Sequence, residues 1–103
     1  MRFLLTSLPL LPFAAAGTNL WRGFYCADPV PGQHATQKNL YASQGTCSFM
    51  KNAGVHVHWA PEKGENGVCW QNTPGDWING VTFKGLCPNS GAHFAIGLEE
   101  KPR

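Results

Sequence analysis

The sequence predicts a small α+β domain in which one short helix packs on an antiparallel sheet stapled by two disulfides. Three observations carry that expectation. Only one segment reads as a good helix, short strand-like runs broken by turn residues follow it, and four cysteines all lie beyond residue 16. Strands joined by short turns become antiparallel neighbours, and one helix covering one sheet face is the simplest layered solution.

Leu20 to Cys26 opens the domain. Trp21, Phe24 and Tyr25 favour a strand, and Gly23 allows a bulge. Ala27-Asp28-Pro29-Val30-Pro31-Gly32 reads as a turn-rich loop that ends it. Gln33 to Gln44 is the helix candidate. Ala35, Gln37, Lys38, Leu40, Tyr41 and Ala42 tolerate a helix, and Gly45 stands where a terminating glycine belongs.

From Val55 to Trp59 apolar and polar residues alternate. Val55, Val57 and Trp59 are expected to face the core, with His56 and His58 on the other side. Pro61 ends that strand. Glu62 to Gly67 is a polar turn with an Asn66-Gly67 pair, and Val68 to Gln71 returns as the hairpin partner. Trp77-Ile78 and Val81 to Phe83 flank Asn79-Gly80 and are expected as strand pieces joined by a tight hairpin or a bulge. Cys87 to Gly91 is the last turn, and Ala92 to Leu98 the closing strand.

Residues 1–16 are set apart from the domain. Arg2 gives a positive start, Phe3 to Phe13 is largely apolar, and Ala14-Ala15-Ala16 offers the small residues a signal peptidase reads. The run is too short to cross a bilayer. It is expected to be a secretory signal cut after Ala16, which implies a secreted, extracellular protein without stable membrane insertion. Residues 17–103 then form a single domain, expected as a monomer.

A domain this short is marginal on apolar burial alone, and an exported one compensates with crosslinks. Cys26, Cys47, Cys69 and Cys87 allow three pairings, and the residues alone do not choose among them. The nested pairing, Cys26 with Cys87 and Cys47 with Cys69, is the favoured one. No Cys-x-x-Cys pair points to zinc. The chain has eight basic and six acidic residues, a net charge of +2, and neither sign clusters. A protein that grips a long polyanion normally shows a basic patch, and none is visible in the linear order.

His56 and His58, two apart on one strand, can share a metal. They can also serve phosphodiester cleavage as acid or base, with His93 as mate and Glu62 or Glu65 as the carboxylate. That chemistry also needs a cation on the phosphoryl oxygens. The domain offers only Arg22 and Arg103 as arginines, one near each end. There is no Gly-x-Ser-x-Gly elbow, phosphate loop, calcium loop or His-Glu-x-x-His motif. No catalytic set is assembled, no cofactor or metal is called for, and the two histidines read as ordinary solvent-facing residues.

Four tryptophans are many for this length. Trp59 and Phe83 are expected in the core. Trp77, Trp70 and Tyr25 are the candidate contacts for a partner, because protein interfaces anchor on aromatic rings and sugars stack on them.

Phe24-Tyr25-Cys26, an aromatic-x-Cys motif soon after the leader, together with the late Cys87, resembles the small secreted ribonuclease-like effectors of powdery mildews, which are plant-colonising fungi. The strict motif begins with Tyr, and here Phe24 takes that place. The resemblance implies a pairing of Cys26 with Cys87 and the layout of a small fungal ribonuclease. It also implies that catalysis has been lost, so that virulence activity rests on binding a host protein, or weakly host RNA. The rival expectations are a secreted histidine-based ribonuclease and a carbohydrate-binding or antimicrobial module.

Overall fold

The computed structural model describes residues 17–103. The expected secretory signal, residues 1–16, lies outside the described residues. The fold is α+β: a six-stranded antiparallel sheet, two helices and two disulfides.

One strand organises the sheet. β1 (Leu20–Pro29) pairs along one edge with β6 (Phe94–Glu100), from Trp21 opposite Glu100 to Ala27 opposite Phe94. Three short strands share its other edge in turn. β5 (Ile78–Asn79) meets Leu20 and Trp21, β4 (Val68–Gln71) meets Gly23 and Phe24, and β2 (Thr36–Lys38) meets Ala27 to Pro29. β3 (Val57–Ala60) lies outside β4, with His58 opposite Trp70. β1 therefore runs through Ala27, Asp28 and Pro29, where a loop was expected. Pro29 is the final residue of the strand and pairs only with Thr36, so its missing N–H disturbs little of the ladder.

The main helix, α1, spans Leu40–Asn52, not Gln33 to Gln44. Asn39 sets its start by accepting the Ala42 amide hydrogen on its side chain at 2.9 Å. Gly45 lies inside the helix. The terminator is Gly54 at φ +95°, with its N–H on the Lys51 carbonyl and the Val55 N–H on the Met50 carbonyl. Ala42, Ser43, Thr46, Cys47 and Met50 form the buried stripe at helical spacing.

A second helix, α2 (Gly80–Leu86), replaces the strand expected at Val81 to Phe83. Asn79 caps it by accepting the Val81 amide hydrogen at 2.8 Å. Phe83 is thereby turned into the core, its ring centroid 4.6 Å from that of Phe24. Such an aromatic contact adds roughly 0.5–1.5 kcal/mol beyond the area it buries.

Phe24, Cys47, Met50, Val57, Cys69, Ile78 and Phe83 make the core between sheet and helices, with Trp59 packed against it. The disulfides are Cys26–Cys87 and Cys47–Cys69, the nested pattern, closing separations of 61 and 22 residues. Loop closure of those lengths is worth about 4 and about 3 kcal/mol.

Candidate functional site

The histidines expected to cooperate stand in two separate places. His56, just before β3, is exposed and Val57 is buried as the alternation requires, whereas His58 and Trp59 are both half-buried. The His56 imidazole meets Asp76 at 3.4 Å. Asp76 is itself held in a turn, accepting the Thr73 hydroxyl at 2.9 Å and the Thr73 amide at 3.0 Å. The Thr73 hydroxyl bond holds the Asp76 carboxyl below its ordinary range, and His56 adds to the effect. His58 Nδ1 bonds the Asn72 side-chain oxygen at 2.8 Å.

A shallow cleft of about 300 Å³ beside His56 is lined by Val55, Asp76 and Trp77. Trp77 is half-buried under the Arg22 guanidinium, 4.8 Å from its ring centroid. Arg22 is engaged further, donating to Gln71 at 3.0 Å and pairing with Glu99 at 3.4 Å. Arg22 is therefore held by the protein's own groups.

His93 stands at the opposite end of β1. Its backbone N–H and its Nδ1 both bond Asp28 Oδ1 at 2.9 Å, while Asn39 donates to Oδ2 at 2.9 Å. These bonds, led by the His93 side chain, draw the Asp28 carboxyl below its usual range. His93 is level with Asp28 on β1, whereas His58 is level with Gly23 through Trp70. Strand rise and strand spacing then put His93 roughly 20 Å from His58. Glu62 is exposed in the loop beyond Ala60, at the other end of β3 from His56. His56 and His58 are neighbours, but neither His93 nor Glu62 joins them. Among the described residues no group of three or more His, Cys, Asp or Glu is placed to hold a metal.

The aromatic residues expected to contact a partner are faced by the protein's own cations. Trp70 lies flat on Gly23, where an added Cβ would come within 2.3 Å of the indole. Lys63 Nζ sits 4.4 Å from the Trp70 ring centroid. Tyr25, two residues from Gly23 on the same sheet face, has Lys38 Nζ at 4.9 Å. Lys38 also donates to the carbonyls of Glu65 and Gly67, which fastens the β3–β4 loop over this end of the sheet.

A larger groove than the His56 cleft lies elsewhere, on the outside of α1. It encloses about 680 Å³, and Tyr41, Gly45 and Phe49 run along one wall. These residues are spaced at i, i+4 and i+8, so they form one helical stripe, two rings about 12 Å apart along the axis with a glycine between them. The rings are open to solvent, Tyr41 at 84% and Phe49 at 60% exposure. Leu86, Asn89 and Ser90 form the facing wall, and a hydrogen bond of 2.8 Å between the Thr46 and Ser90 hydroxyls joins the two. Each wall is also fixed by sulfur: Cys47 ties α1 to β4, and Cys87 ties the facing segment to β1. The stripe can be read from the sequence only once the helix is placed at Leu40–Asn52; a helix stopping at Gln44 cuts it in half.

No known protein family, curated protein or solved structure matches the chain.

Proposed function

We propose that the chain is an exported binding domain without catalysis, a virulence effector acting on a host molecule, and that the α1 groove is its recognition surface. One observation carries this reading. The groups that phosphodiester cleavage would need are dispersed, whereas the groove is continuous and its walls are crosslinked. A volume of about 680 Å³ is within the ordinary range of ligand sites. Arg22, Lys38, Lys63, Lys84 and Lys101 each lie over one of the protein's own aromatic rings, so their placement is accounted for within the fold.

The oxidised protein incubated with RNA is expected to release no cyclic phosphate. Release that disappears in His93→Ala or His56→Ala, with the fold intact by circular dichroism, would replace this reading with a ribonuclease.

A further inference from the structure

The α1 groove differs in charge from the aromatic surface formed by Trp21, Tyr25, Trp70 and Trp77. Trp21, Tyr25, Trp70 and Trp77 each carry a lysine or arginine over the ring. Among the described residues no cation sits over Tyr41 or Phe49, and no acidic, basic or histidine side chain lines the groove. Five of its eight lining residues carry a hydroxyl or an amide: Tyr41, Gln44, Thr46, Asn89 and Ser90. A protein partner would normally be met by charged groups that fix its register, and none lines this groove.

Resting on the binding reading above, we propose that the groove binds a neutral oligosaccharide. A sugar ring presents an apolar C–H face and a polar edge of hydroxyls. Open aromatic rings suit the face, and neutral amides suit the edge without the desolvation cost of a charge. The two rings, about 12 Å apart along α1, suit an extended chain of several sugar units. Gly45 keeps the space between them clear: the nearest atom to a Cβ placed there is Ser90 Oγ, at 3.9 Å. The two disulfides hold both walls before the ligand arrives, so little ordering is left to the binding step.

The test is calorimetric titration of the oxidised chain with hexamers of β-1,4-linked N-acetylglucosamine, β-1,3-linked glucose and β-1,4-linked glucose. At least one is expected to bind. Tyr41→Ala and Phe49→Ala are each expected to weaken it about tenfold. Gly45→Leu, which adds a helix-favouring side chain into the groove beside Ser90, is expected to abolish binding with the fold retained, and Val81→Ala to leave it unchanged. Absence of binding by all three hexamers, or binding that survives Gly45→Leu, overturns the proposal. Selection of a peptide from a random library, blocked by Gly45→Leu and without saccharide binding, would overturn the sugar class while upholding the groove as a binding site. RNA cleavage lost on histidine substitution would instead remove the binding reading itself.

Discussion

The Ser43 hydroxyl is clamped onto the backbone of Cys26. Its oxygen accepts the Cys26 amide hydrogen at 2.8 Å and lies 2.7 Å from the Asn39 carbonyl and 3.1 Å from the Cys26 carbonyl, either of which takes its proton. Ser43 is fully buried. The bond thus joins the inner face of α1 to β1 beside a crosslinked cysteine. Ser43→Ala leaves the Cys26 amide without that partner in a place water does not reach, at a cost of about 1–3 kcal/mol. Urea denaturation of the oxidised protein should show a loss of that size. An unchanged midpoint would mean that β1 meets α1 through packing alone.

Asp28 links stability to acidity. Its carboxyl is drawn below the ordinary range by His93 first and then by Asn39, so the folded state holds the ionised form more tightly than the unfolded chain does. For a depressed carboxylate that contribution is present above the unfolded pKa of about 3.9 and drains away as the pH falls through the lower folded value. Asp76 acts in the same direction. Denaturation midpoints measured from pH 5 down to pH 2 should therefore fall less steeply in Asp28→Asn than in the parent. Equal slopes would show that the carboxylate is as free in the folded protein as in the unfolded one.

Gly23 is required by the indole above it. A Cβ there would lie 2.3 Å from Trp70 Cε3 and 2.7 Å from the Cys69 carbonyl oxygen. Gly23→Ala must displace the indole and also push β4 away at the Cys69 carbonyl. A cost of about 1–3 kcal/mol is expected, with a change in tryptophan near-ultraviolet dichroism. Retention of both the signal and the stability would mean that Trp70 is not seated on β1.

The parts of this fold that were legible in the sequence are those whose cause is local. The Val-His-Val-His-Trp alternation needs only a two-residue repeat, and it placed Val57 inside and His56 outside. Asn66-Gly67 signalled a turn because both residues tolerate positive φ, and both adopt it, at +68° and +94°. The helix register was obscured because Gly45 imitates a terminator, while the true one, Gly54, lies nine residues on. Asn79-Gly80 reads equally well as a hairpin turn or a helix cap, and burial of Phe83 against Phe24 decides for the cap. The spacing of the histidines on β3 was visible, but their distance from His93 depends on strand order, which no local pattern encodes. The groove was hidden for the same reason, since residues 41–49 and residues 86–90 are brought face to face only by the tertiary fold.

The pairing of β1 with β6 joins residues near position 21 to residues near position 100. A chain growing on a ribosome exposes the aromatic seam of Trp21, Phe24 and Tyr25 long before its main mate exists. Contacts this distant in sequence form slowly, and in the interval a bare strand edge invites adhesion to other nascent chains.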